Sequence, residues 1–153
     1  MLAPSEALAH TDVTPEEARD LIAANENLIV IDNREEYEYC ATDPPAPLPP
    51  GHIPGALNYP WNSGFFQENY TDFPIDAEIL IVCRTGNRSN QAATFLDSEG
   101  YTNVYDMTGG MVQWEWETEL CSQVPTMSPG GMAALMGLLL GVGLFALHRS
   151  RVA

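Results

Sequence analysis

The chain contains no lysine, and its six cationic residues are all arginines. Four of them, Arg19, Arg34, Arg84 and Arg88, precede residue 120, where all 21 acidic residues also lie. Phosphate recognition needs clustered cations, so nucleic acid is excluded as a partner. The formal net charge of −15 favours solubility and says little about fold. Cysteine is also scarce: Cys40, Cys83 and Cys121 form no Cys-x-x-Cys pair, and the histidines stand apart at His10, His52 and His148. Protein-bound metals are usually signalled by closely spaced Cys and His ligands, so no metal site and no cofactor is expected. With 153 residues there is enough chain for one domain with a real core, but not comfortably for two.

What is present centres on Cys83-Arg84-Thr85-Gly86-Asn87-Arg88-Ser89. Before it, 78–82 reads as a buried strand; after it, 90–99 reads as a helix stopped by Gly100. A thiol therefore sits where a strand ends and a helix begins, in a loop carrying two of the few arginines. Backbone N–H groups and the helix dipole converge on such a point and favour negative charge. A cysteine placed there is expected to act as a thiolate nucleophile.

The rest of the chain builds a frame for this loop. Residues 1–11 lack pattern, although Ala7-Leu8-Ala9 resembles a signal-peptidase site with His10 as the new N-terminus. Thr14-Pro15-Glu16-Glu17 is a capping box that starts a helix running to about residue 23. Residues 28–31 read as a buried strand, with Asp32-Asn33-Arg34 at its carboxyl end, the edge where open α/β sheets carry their sites. A helical turn is expected over 35–39. Five prolines in residues 40–50 exclude helix and strand there. Short strands follow at 56–58 and 104–107, and 111–120 reads as a final helix packed through Trp114. Alternating short strands and helices indicate an α/β fold: a mainly parallel central sheet with helices on both faces.

After the domain, taken as residues 12–122, and a linker at 123–129, residues 130–147 form eighteen positions without a charge. That length just spans a bilayer as a transmembrane helix. His148-Arg149-Ser150-Arg151 follows in a basic tail, 148–153, which the positive-inside rule places in the cytoplasm. The domain is then expected to be membrane-anchored and extracytoplasmic, in a periplasmic or cell-surface space.

Four ordered motifs across about residues 12–120 resemble those of the rhodanese-like sulfurtransferases. They are Asp32-Asn33-Arg34 with Glu38-Tyr39, Gly51-His52-Ile53-Pro54-Gly55-Ala56, the loop from Cys83 to Ser89, and Gly109-Gly110 with Trp114. The resemblance implies that Cys83 accepts sulfane sulfur as a persulfide and passes it to a thiol, cyanide or a sulfur-carrier protein. It implies a cradle of backbone N–H groups from Arg84, Thr85, Gly86, Asn87, Arg88 and Ser89. Arg84 and Arg88 would hold a small anionic donor such as thiosulfate, while Asp32, Arg34 and His52 support the loop. Four residues separate Cys83 from Arg88, where the phosphatase loops related to this fold need five to wrap a phosphate. The tighter loop argues against phosphatase chemistry.

Residues 40–50 depart from the family by inserting eleven positions, Cys40 among them. For an extracytoplasmic domain a Cys40–Cys121 disulfide is favoured, since both lie far from Cys83 in sequence and their pairing leaves that thiol free. The rival reading makes one of them a resolving thiol for Cys83. Ser128-Pro129-Gly130-Gly131 before the apolar run resembles a bacterial sorting signal, so the tail is either an anchor or is cut. Besides the enzyme, two further readings stand: a persulfide-carrying delivery module with little small-molecule turnover, and a thiol-redox regulatory domain.

Overall fold

The apolar stretch before Cys83 forms β4 (Ile79–Val82), all four residues of which are buried. In the computed structural model, which describes residues 10–121, it lies at the centre of a five-stranded sheet. The other strands are β1 (Thr11–Val13), β2 (Ile29–Asp32), β3 (Leu57–Asn58) and β5 (Val104–Met107). Their order is β1-β5-β4-β2-β3 and every pairing is parallel. The expectations for residues 1–9, the linker, the apolar run 130–147 and the basic tail fall outside the described residues. Among the described residues, no helix is long and apolar enough to cross a membrane.

Side chains alternate across a strand, so neighbouring residues supply opposite cores. Leu80 and Val82 join Val30, Met107, Met111 and Trp114 on the face covered by α1 (Pro15–Ala24). Ile79 and Ile81 join Ile31, Val104, Phe66, Ala92, Ala93 and Leu96 on the other. That second face is covered by α3 (Phe65–Asn69) and α4 (Asn87–Ser98), while α2 (Glu36–Tyr39) is a single turn after β2. The capping box at α1 forms as its residues predict: Thr14 Oγ1 accepts from the Glu17 N–H at 3.3 Å, and the Thr14 N–H donates to Glu17 Oε2 at 2.8 Å.

The structure corrects three boundaries. Thr11 is not part of an unstructured leader but begins β1, an edge strand held by β5. The helix after the loop starts at Asn87, because Gly86 turns the chain at φ +92° and the Gly86 carbonyl accepts the Asn90 N–H. No helix spans 111–120: a single 3-10 turn (Gly110–Gln113) gives way to extended chain at Trp114. There Trp114 is buried and Trp116 half-buried, while Glu115, Glu117 and Glu119 are exposed, a period-two pattern suited to extended backbone.

Candidate active site

Cys83 follows directly on β4, so its position is set by the best-buried strand of the sheet. Its side chain is 1% exposed and is a free thiol. Gly86 N–H donates to Cys83 Sγ at 3.2 Å. The first N–H groups of α4 have no intrahelical acceptor, and the helix presents this positive end at the loop. The Ser89 hydroxyl, fully buried, donates to the Gly86 carbonyl at 3.2 Å and closes the turn. From the other side the 3-10 turn fastens the loop by its backbone. Met111 N–H donates to the Cys83 carbonyl at 2.8 Å, and Val112 N–H to that of Arg84 at 3.1 Å. Gly110 permits this approach: at φ +62°, a Cβ there would stand 2.6 Å from the Cys83 and Arg84 carbonyl oxygens.

The two loop arginines have different surroundings. Arg88 is forked onto Glu38 of α2, with Nη1 to Oε2 at 2.6 Å and Nη2 to Oε1 at 3.0 Å. Those hydrogen bonds raise the Arg88 pKa against the effect of burial, and the charges of Glu38, Cys83 and Glu35 add to the rise. Burial pushes the Glu38 carboxyl up, but the Arg88 hydrogen bond, the Glu35 N–H and the charges of Arg88 and Arg34 hold it below its ordinary range. Both partners are mostly buried, so an incoming anion meets Arg88 already neutralised. Arg84 is exposed and makes no ion pair among the described residues. Thr85 and Asn87 are exposed beside it, and Asn87 Oδ1 accepts from Gln91 Nε2 at 2.9 Å.

Asp32 and Arg34 form the support beneath. Both are buried, and Arg34 Nε and Nη2 reach Asp32 Oδ2 at 2.9 and 2.7 Å. The same guanidinium donates to the carbonyls of Glu38 at 3.3 Å and Gly51 at 2.9 Å. It thus fixes both the turn carrying Glu38 and the end of the proline-rich insertion. His52 acts further out: its ring stacks on Tyr39 at 3.7 Å and its Nε2 lies 3.2 Å from Glu119 Oε1. Cys40 and Cys121 are joined as a disulfide, which removes both as resolving thiols for Cys83. Glu38, Tyr39 and Cys40 therefore tie α2 to the loop, the His52 turn and Cys121 in succession.

Three contributors to the site, Glu38 and the backbone groups of Met111 and Val112, have no role in the sequence reading, and neither does Asp106. Glu38 stood in a recognised motif without a role, although an acid beside scarce arginines was its signal. The Met111 and Val112 N–H groups carry no side-chain signal at all. Asp106, 1% exposed, lies near Ser89 and Asn90, and burial raises its pKa despite those two side chains. Nothing local marks it, because its surroundings come from strand pairing.

Comparison with known proteins agrees with this geometry. A family profile described as Rhodanese-like domain matches residues 14–117. The thiosulfate sulfurtransferase GlpE of Pseudomonas entomophila is 34% identical over 102 residues, covering 67% of this chain and 82% of that protein. An adenylyltransferase and sulfurtransferase, UBA4 of Candida albicans, is 32% identical over 119 residues. That match takes in 74% of this chain but only 25% of the larger protein. Among solved structures, a rhodanese-like domain protein of Staphylococcus aureus superposes with a TM-score of 0.61 at 24% identity, covering 73% of this chain and 99% of the other.

Proposed function

This chain belongs to the rhodanese-like family and is a sulfurtransferase, and from that premise we propose that it draws sulfane sulfur from thiosulfate through a persulfide on Cys83. The observation that carries the reading is the free Cys83 thiol at the carboxyl end of β4, its Sγ accepting the Gly86 N–H at the mouth of α4. In the first half-reaction the Cys83 thiolate attacks the outer sulfur of thiosulfate. The new S–S bond forms as the donor's S–S bond breaks, and sulfite leaves with the electron pair. In the second, cyanide or a thiolate attacks the outer persulfide sulfur and Cys83 departs as thiolate. Loop N–H groups stabilise the negative sulfur in both states, and exposed Arg84 attracts the anionic donor.

Intact-mass measurement after thiosulfate treatment tests this. One added sulfur atom should map to Cys83 and disappear on cyanide addition with release of thiocyanate; Cys83→Ser should show neither. Absence of the added sulfur on Cys83 in the wild-type chain would sink the reading. Delivery of the persulfide to a protein thiol is the second reading. Slow turnover with cyanide and fast transfer to a carrier protein would favour it.

The apolar run 130–147 anchors the domain to a membrane, with the basic tail cytoplasmic and the Cys83 site extracytoplasmic. Eighteen uncharged residues followed by two arginines support this. So does the Cys40–Cys121 disulfide, since such bonds persist mainly in oxidising compartments. Fractionation of cells expressing the full chain, beside a chain ending before residue 130, decides it. Uncut full-length protein in the soluble fraction would overturn the anchor.

A further inference from the structure

Away from Cys83, on the outer edge of the sheet, the pairing of β1 with β5 brings His10 and Asp12 beside Asp106, which is far along the chain. Asp12 pairs in register with Asp106, and the two carboxylates and the His10 ring each place one atom within 4.8 Å of the others. His10 Nε2 lies 3.7 Å from Asp12 Oδ1. Two ligands about 2.1 Å from a tetrahedral ion lie about 3.4 Å apart, so this pair needs little adjustment to share one.

Two observations separate the cluster from an ordinary acidic patch. First, Asp106 is 1% exposed and its Oδ1 has no hydrogen-bond partner among the described residues. A buried carboxylate oxygen without a partner is costly and calls for an unaccounted cation or donor. Second, the imidazole is oriented as a ligand. Asp97 Oδ2 lies 2.7 Å from His10 Nδ1 and also accepts the His10 backbone N–H at 3.2 Å. A proton on Nδ1 leaves the Nε2 lone pair on the side of Asp12, the carboxylate–histidine arrangement that supports metal ligation. Asn90 reaches the same Nε2 at 3.2 Å with its amide. Turning that amide over would present its oxygen instead.

We propose that His10, Asp12 and Asp106 hold a divalent metal ion, with Asp97 orienting the histidine and Asn90 available as a fourth ligand. One nitrogen and two or three oxygens suit Mn²⁺ or Zn²⁺ and not a thiolate-seeking ion. The ion ties the three-residue edge strand β1 to β5 and compensates acids that outnumber the single imidazole. The histidine spacing that argued against a metal in the sequence is irrelevant here, because sheet pairing and not local spacing assembles the ligands.

Mn²⁺ titration of the purified full chain, followed by the electron paramagnetic resonance of free Mn²⁺, tests the site. One equivalent should bind to wild type and equally to Cys83→Ala, and Zn²⁺ should displace it. Asp106→Asn and His10→Gln should each weaken binding at least about tenfold, and Asp97→Asn by about 10–100-fold. Mn²⁺ should raise the melting temperature of wild type but not of His10→Gln, and a chelator should reverse the rise. Far-UV circular dichroism of the apo variants checks that each is folded. Absence of saturable binding in wild type would overturn the proposal. So would binding that survives Asp106→Asn or is lost in Cys83→Ala.

Discussion

At the scale of single residues, the site is organised by two ion pairs with different exposure and different work. Asp32–Arg34 is fully buried, and its guanidinium also serves two carbonyls. Truncating one member of such a pair strands the other's charge, so Asp32→Ala should cost about 3–5 kcal/mol. Chemical denaturation measures this directly. The Glu38–Arg88 pair is 10–15% exposed and touches the catalytic loop itself. Glu38→Gln should cost about 1–3 kcal/mol, typical of a lost charge-assisted hydrogen bond. Its pH dependence follows from the lowered Glu38 pKa. Because the folded value lies below the unfolded one, the pair's contribution is complete above the unfolded carboxyl's pKa, about 4.3, and fades as pH falls through the folded value. The stability gap between wild type and Glu38→Gln should therefore hold from pH 7 to about 5 and narrow as the pH falls further. A gap that does not narrow at all on acidification would show that the pair is not the cause.

At the scale of elements, the loop's shape depends on the 3-10 turn as much as on α4. Gly110→Ala should show this by comparison with Gly55→Ala. Both glycines have positive φ, which costs another residue about 1–2 kcal/mol. Around Gly55 nothing lies within 4 Å of an added Cβ, whereas at Gly110 it strikes the Cys83 and Arg84 carbonyls. Gly110→Ala should lose a further 1–3 kcal/mol or so and most sulfur transfer, while Gly55→Ala keeps its activity. Denaturation midpoints and thiocyanate formation report the two effects. Much of this element plan is legible in the sequence. The runs at 28–31 and 78–82 are apolar enough to declare buried strands, and Thr14 with Glu17 declares a helix start. β1 is not legible: only Val13 of its three residues is buried, and its partner lies some ninety positions away. The segment after Gln113 misleads because Met111, Trp114 and Leu120 suggest a helical stripe, although the alternation of Trp and Glu at 114–117 already carried the period of extended chain. Cys83 and its neighbours are readable because a loop between a strand and a helix has local signals. Glu38 and Asp106 are not, because their environments exist only once distant elements pack.

At the scale of the whole molecule, the catalytic loop is held from one end of the domain to the other through α2. Arg88 grips Glu38, Tyr39 stacks on His52, and Cys40 binds Cys121. The disulfide closes 81 residues of chain that include the Cys83 loop. A loop of that length corresponds to about 4.5 kcal/mol of unfolded-state entropy, the upper part of the range such bonds provide. For about 110 residues this amounts to a melting-temperature loss of roughly 15–20 °C when Cys40 and Cys121 are both changed to alanine. Cys83 is not part of that circuit, so at temperatures where the double variant is folded it should still form a persulfide from thiosulfate and yield thiocyanate with cyanide. A thiol acceptor complicates the comparison, because a thiol able to take sulfur from Cys83 can also reduce Cys40–Cys121. Wild type assayed with a thiol in excess should drift toward the thermal behaviour of the double variant, while wild type assayed with cyanide should not. Equal melting temperatures under both conditions would mean that the disulfide resists reduction. Equal melting temperatures of wild type and double variant would mean that the bond contributes nothing to the fold, and that Arg34, His52 and the buried Leu48 hold the insertion without it.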